Sequence, residues 1–167
     1  MTPQRALPVV ASFAMTYAFE QIAATDLPAM RRMLVMFGEA FGEPDTYQGN
    51  VPSDGYLRGL LARPHFIAIA ARDGEEVVGG LAAYELEKFE QERSEIYIYD
   101  LAVDERHRRR GVATGLIRAL QRIAGLRGAY VIFVQADRGD APAIRLYESL
   151  GTREDVHHFD IPVVPAR

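Results

Sequence analysis

The residues best suited to chemistry gather between Ile96 and Leu120, a run reading IYIYDLAVDERHRRRGVATGLIRAL. Asp104 to Arg110 carry four arginines and a histidine, and Gly111 follows at once. Ile96 to Val103 are β-branched and aromatic, as a strand requires. After Gly111, the residues Val112, Leu116, Ile117, Leu120 and Ile123 recur near helical spacing. The order is therefore strand, basic turn, helix. A helix start exposes N–H groups without intrahelical partners and the positive end of its dipole, so it can hold a phosphate. This stretch is expected to grip the pyrophosphate of a nucleotide-bearing cofactor. The bland alternative is a solvated basic turn ahead of a surface helix.

Asp100 is a second signal. It sits inside an otherwise apolar strand, where a carboxylate without a partner is costly. From Glu85 to Asp100 there are six acids, Glu85, Glu87, Glu90, Glu92, Glu95 and Asp100, against Lys88 and Arg93. The net four negative charges equal the imbalance of the whole chain, −4. Such a segment suits a cationic substrate, bound by charge-assisted hydrogen bonds. For Glu90, Glu92 and Glu95 taken singly, a solvated loop is at least as good an account.

Composition narrows the remaining classes. The chain has 167 residues, 49% of them apolar, which fits one domain with a real core. It has no cysteine, so disulfides, thiolate nucleophiles and cysteine metal sites are out. The four histidines show no zinc spacing, and no metal is expected. Residues 6–15, ALPVVASFAM, are too short to span a bilayer. A flexible arm over 1–15, one domain over 16–167, a cytoplasmic location, and neither membrane nor nucleic acid as partner are the expectations.

The elements that must position these residues follow in order. Tyr17–Ile22 reads as a short edge strand. Thr25 or Asp26 caps a helix ending near Gly42, with Pro28 in its first turn. EPDTYQGNVP reads as a loop. Ser53 or Asp54 starts a second helix through Leu61. His65–Ala71 and Glu76–Leu86 form a hairpin about Asp73-Gly74. Gly79-Gly80 within it mark a bulge or a close backbone approach. After the helix that ends at Gly125 or Gly128 comes a buried strand, Tyr130–Gln135. Asp140 then caps a helix over Ala143–Leu150 that stops at Gly151. Val156–Ile161 is a last strand. The order β-α-α-β-β-β-α-β-α-β is a mixed α/β (α+β) sheet fold.

Arg108-x-x-Gly111-x-Ala113 resembles the acyl-CoA signature of the GNAT superfamily of N-acetyltransferases. Small residues at 111 and 113 let a pyrophosphate approach the backbone. Asp140-Ala-Pro-Ala143-Ile-Arg-Leu-Tyr147-Glu-Ser-Leu-Gly151 is similar to that family's second motif, with Asp140 where asparagine is common. Longer runs, MLVMFGEAFGEPDTY at 33–47, KFEQERSEIYIYDLAV at 88–103, GAYVIFVQAD at 128–137 and HFDIPV at 158–163, resemble the gentamicin, or aminoglycoside 3-N-, acetyltransferases.

This resemblance implies a GNAT acyl-CoA N-acyltransferase fold and a homodimer. It implies acetyl transfer from acetyl-CoA to the 3-amino group of a 2-deoxystreptamine antibiotic, and hence resistance. Leu101, Ala102, Val103, Arg108, Arg109, Arg110, Gly111, Val112, Ala113, Thr114, Asp140 and Tyr147 are then the cofactor-binding residues. Tyr99, Asp100, Glu87, Glu154 and Asp155 are the substrate-binding ones, and Asp100 and Tyr147 the catalytic pair. Asp100 orients the ammonium and accepts its proton, directly or through water, with Glu87 and Glu154 as alternatives. Backbone N–H groups near Leu101–Val103 face the oxyanion if the strand is distorted there. Tyr147 protonates or hydrogen-bonds the departing thiolate. Acetylation of polyamines or peptide amines is the rival reading within the same family.

Overall fold

The computed structural model describes residues 17–164, so the arm expected over 1–15 lies outside the described residues. The chain divides after Val134 into two compact units. The first contains β1 (Ala18–Gln21), α1 (Leu27–Phe41), a π-helical turn (Asp45–Gly49), α2 (Asp54–Leu61), β2 (Phe66–Asp73), β3 (Glu76–Glu87), β4 (Ser94–Val103), a 3-10 turn (Glu105–His107), α3 (Val112–Arg127) and β5 (Ala129–Val134). The strands form one sheet in the order β1-β2-β3-β4-β5. All neighbours are antiparallel except β4 and β5, which are parallel. The mixed α/β sheet expected from the sequence is what forms.

The helix ends follow local chemistry. The Asp26 carboxylate accepts the Ala29 N–H at 3.1 Å, with Pro28 in the first turn of α1. Gly42 ends that helix in the left-handed region, φ 68°, which a glycine reaches without strain. Ser53 caps α2 by accepting the Tyr56 N–H at 3.2 Å. The DTYQG segment departs from expectation: it closes into a π-helical turn rather than an open loop.

Gly79 and Gly80 are a close-approach pair. Successive residues of a strand face opposite sides of the sheet. A Cβ on Gly80 would lie 2.5 Å from Met33 Cγ of α1, and one on Gly79 would lie 2.8 Å from Val112 Cγ1 of α3. The two glycines thus seat α1 on one face and α3 on the other. A register shift accompanies them, since Ala71 pairs with Gly79 but Arg72 pairs with Val77, leaving Val78 as the extra residue. Met33, Phe37 and Leu57 fill the α1 side; Val112, Leu116 and Leu120 are equally buried on α3.

β5 corrects one expectation. It is an edge strand, and Tyr130, Val131 and Phe133 are exposed rather than buried. Its length and apolar run resemble a buried strand, but among the described residues only β4 pairs with it.

The second unit is built on α4 (Ala141–Glu148). Asp140 is its cap, accepting the Ala143 N–H at 3.1 Å. The helix ends at Glu148 with Ser149 as its C-cap, before the expected Leu150, and Gly151 closes the turn by donating to the Tyr147 carbonyl at 2.9 Å. The strand expected over 156–161 does not form: residues 152–164 are neither strand nor helix. The alternation of VHHFDI suits a strand, but a strand exists only through a ladder partner, and Pro162 removes a donor just beyond.

Candidate active site

β4 carries the central residues, and a bulge aims them. Ala82 pairs with Asp100 but Ala83 pairs with Ile98, so Tyr99 is an extra residue on β4. A bulge shifts the side-chain alternation by one. Before it, Ile96 and Ile98 are buried, while Tyr97 meets Phe133 of β5 with ring centroids 4.9 Å apart. After it, Ala102 joins the core beneath α1, and Asp100, two residues earlier, shares its face. The bulge therefore sets Asp100 beside Tyr97 and Tyr99. Without it, Asp100 would point with Ile96 and Ile98 into the opposite core. This is the reason the sequence requires for an acid within an apolar strand; the register shift falls at Tyr99, ahead of Leu101–Val103, where a distortion was the condition for an oxyanion site.

Aromatic rings line this face. Tyr99 meets Tyr84 and Tyr97 edge-on, each at 5.9 Å between centroids, and is itself 63% exposed. Tyr47, from the π-helical turn, packs its ring against Phe37 and Phe41 of α1. Burial pushes the Asp100 carboxyl above the ordinary range; the Tyr47 hydroxyl pulls it back, and Glu43 raises it further. Burial, with the Asp100 charge next, drives the Tyr47 phenol strongly up. Burial likewise raises Tyr84 and Tyr97. Sequence reasoning missed Tyr47 and Glu43. The π turn was read as a loop, and sequence spacing does not say that it packs against α1.

The strand opens where a cofactor needs it. β4 pairs with β5 only from Ser94 to Ile98, so residues 99–103 have no β5 partner among the described residues. Leu101, Ala102 and Val103 thus offer backbone groups along an open edge, which an extended chain can join as an added strand.

The basic turn follows directly. The Asp104 carboxylate caps the 3-10 turn through the Arg106 N–H at 2.9 Å. Arg106 is committed to structure, donating to Asp104 Oδ2 at 2.8 Å and Glu76 Oε1 at 2.7 Å. His107 is buried, with its Nδ1 3.1 Å from the Tyr17 hydroxyl. Arg108 Nε donates to the Val103 carbonyl at 3.1 Å, tying the turn to the end of β4. Arg109 and Gly111 both have positive φ, 61° and 80°. Alternating left-handed residues aim successive N–H groups into one concavity. α3 starts without a side-chain cap, so the N–H groups of Val112, Ala113 and Thr114 face outward for an anion. The chemistry of this donor set fits a pyrophosphate.

The remaining candidates are placed differently. Glu87 pairs with Ser94 at the hairpin end of β3, five residues from Ala82, which pairs with Asp100. That is about 17 Å along the strand, so Glu87 is not beside Asp100. Much of the acidity of 85–100 is already neutralised. Glu85 accepts from Arg127 and Ser94 at 2.8 and 2.7 Å, Lys88 pairs with Glu90 and Glu95, and Arg93 pairs with Glu90. In the second unit, Asp140 is occupied as the cap of α4, and burial with the Asp140 charge pushes the Tyr147 phenol up. Asp155 pairs with Arg153 at 3.1 Å, and Glu154 is exposed.

Among known proteins, the chain is 27% identical to N-acetyltransferase 8B of Rattus norvegicus over 89 residues, 53% of this chain. It spans about two fifths of the length of the curated relatives it matches, 40% and 39%. Solved structures match over far more of it. The chain is similar to the aminoglycoside acetyltransferase HMB0005 from an uncultured soil metagenomic sample. The identity is 56%, 90% of this chain and 100% of that one are covered, and the TM-score is 0.88. It is also similar to the aminoglycoside acetyltransferase meta-AAC0020, again from a soil metagenomic sample, solved in complex with sisomicin. There the identity is 32%, the coverage 88% and 96%, and the TM-score 0.82. Residues 29–152 match the model of the acetyltransferase (GNAT) family, and the chain belongs to that family.

Proposed function

We propose that this acetyltransferase moves the acetyl group of acetyl-CoA to the 3-amino group of a gentamicin-like 2-deoxystreptamine aminoglycoside. The observation that carries the reading is the setting of Asp100, a carboxylate brought by the Tyr99 bulge to a tyrosine-lined face beside the open edge of β4. The likeness to aminoglycoside acetyltransferases along nine tenths of the chain supports the substrate class.

A substrate amine is protonated at neutral pH and must lose a proton before it attacks the thioester carbon. Asp100 binds the ammonium, and its raised proton affinity makes it a better acceptor than an exposed aspartate. The N–H groups at the bulge, next to Leu101, serve the oxyanion. Tyr147 serves the departing thiolate. An ordinary phenol, at about 10, already lies above a thiol at about 8.5, and Tyr147 is pushed higher. A hydrogen bond that stabilises the thiolate therefore describes its role better than full proton transfer. Asp100 could instead act only as the anchor, with water taking the proton. A homodimer is the proposed assembly, on the strength of the resemblance.

The test incubates the protein and acetyl-CoA with gentamicin, sisomicin, spermidine and a peptide, follows thiol release, and locates the new amide by NMR. Acetylation at N-3 of the aminoglycosides is expected. Modification at another amine refutes the regiochemistry, and turnover with spermidine or peptide alone refutes the substrate class.

A further inference from the structure

Of residues 17–21, Tyr17 and Phe19 are half-buried, whereas Ala18, Glu20 and Gln21 are exposed. Residues two apart share one face of a strand, and Tyr17 extends the alternation of β1 by one residue. Both buried rings go to the basic turn and the helix after it. The Tyr17 hydroxyl lies 3.1 Å from His107 Nδ1, and the two rings meet edge-on with centroids 5.8 Å apart. Phe19 sets the tip of its ring on α3, where a Cβ on Gly115 would lie 2.1 Å from Phe19 Cζ. Gly115 stands one helical turn beyond Gly111, whose carbonyl accepts its N–H at 2.9 Å. The start of the chain's first strand therefore touches the anion-binding stretch at both ends, at residue 107 and at residue 115.

What lies between those ends needs holding. Arg109 has φ 61° without being a glycine, a left-handed conformation that a side chain disfavours. Such a conformation persists where its surroundings over-determine it. His107, two residues earlier, is 7% exposed, and its N–H closes the 3-10 turn on the Asp104 carbonyl at 2.9 Å. Its neighbours are committed elsewhere, Arg106 to Asp104 and Glu76, and Arg108 to the Val103 carbonyl. A buried imidazole needs a hydrogen-bond partner, and the Tyr17 hydroxyl supplies one.

We propose that Tyr17 and His107 are positioning residues, a brace that holds the 108–111 turn in the conformation that binds the pyrophosphate of acetyl-CoA. The proposal rests on the reading of this turn as the cofactor's and deepens it. Neither side chain is required to touch the cofactor. N–H groups that are already aligned need no ordering when the anion arrives, so a braced turn binds more tightly than a loose one. The brace serves the pyrophosphate, so its loss weakens cofactor binding and spares the amine substrate and the chemical step.

The experiment measures acetyl-CoA binding by calorimetry in full chains of wild type, Tyr17→Phe, His107→Leu, His107→Asn, Gly111→Val and the Tyr17→Phe/His107→Leu double variant, with steady-state constants for sisomicin beside it. Tyr17→Phe keeps the ring and its edge contact, so its fold survives. Tyr17→Phe and His107→Leu should each raise the acetyl-CoA dissociation constant roughly three- to tenfold, the range for one lost hydrogen bond. Their kcat and KM for sisomicin should stay close to those of wild type. The double variant should bind no worse than either single one, because both remove the same bond. His107→Asn should bind as wild type does, since an amide can donate or accept in place of Nδ1. Unchanged binding in Tyr17→Phe overturns the proposal, and so do losses that add in the double variant or a fall in kcat as large as the loss of binding. Gly111→Val separates this from a failure of the site. Normal acetyl-CoA binding in that variant too means that the turn is not the cofactor's, whereas weakened binding in Gly111→Val alone keeps the site and removes the brace. Calorimetry uses no aminoglycoside, so these binding outcomes stand apart from the identity of the acceptor.

Discussion

At Asp100 activity and stability pull against each other. The folded protein raises the proton affinity of this carboxyl, chiefly by burial and further by Glu43. A group whose folded value lies above its unfolded one contributes stability below the unfolded value and loses it as pH rises through the folded value. At neutral pH the ionised Asp100 is thus a local cost. Asp100→Asn removes that cost. The variant should melt higher than wild type at pH 7, with the gap closing as pH falls below the ordinary carboxylate range. Its kcat/KM for aminoglycosides should fall roughly 10²-fold or more, as for loss of a positioned acid–base group. Calorimetric melts at several pH values check the first half; a melting gain that grows toward acid would refute the sign. Tyr147→Phe makes a contrasting case. It should lower kcat by roughly 10²-fold while leaving the acetyl-CoA dissociation constant near that of wild type, which separates a role at the thiolate from one in cofactor grip.

The basic turn before α3 depends on backbone conformation more than on side chains. Gly111 has φ 80°, and a Cβ there would meet nothing within 4 Å. Gly111→Val therefore fails through the left-handed backbone, at about 1–2 kcal/mol, and through crowding of whatever anion sits on the N–H groups. Calorimetry should show acetyl-CoA binding weakened at least tenfold, with Gly111→Ala between the two. Normal binding in the valine variant would remove the turn from the cofactor site. This turn was legible in the sequence, because glycine, arginines and helical spacing act locally. So were the caps Asp26, Ser53 and Asp140, and the close approach at Gly79-Gly80. The bulge at Tyr99 was not legible, since IYIYDLAV alternates through it without a break and the extra residue shows only against β3. The π-helical turn that carries Tyr47 was not legible at all. It packs at Gly38 of α1, an approach that the composition of the segment does not show. The strand expected at 156–161 failed for a related reason: alternation can suggest a strand but cannot supply its partner.

At the scale of the whole molecule, charge is the property that sequence reading overstated. The net −4 and the acidic 85–100 segment suggested a broad field for a polycation. In the fold, Glu85, Glu90 and Glu95 are matched by Arg127, Lys88 and Arg93. The attraction then falls to a few carboxylates about Asp100, with Glu43 the one whose charge acts on it. A field from few charges is short-ranged, and at about 0.1 M salt screening sets in over about 10 Å. The salt dependence of kcat/KM for sisomicin should therefore be modest, roughly two- to fivefold from low to physiological ionic strength. Because salt acts on encounter rather than on the bound complex, kcat should stay nearly constant. Asp100→Asn should flatten the dependence further. A steep dependence that survives Asp100→Asn and Glu43→Gln together would show that acids elsewhere, Glu87 and Glu92 among them, gather the substrate.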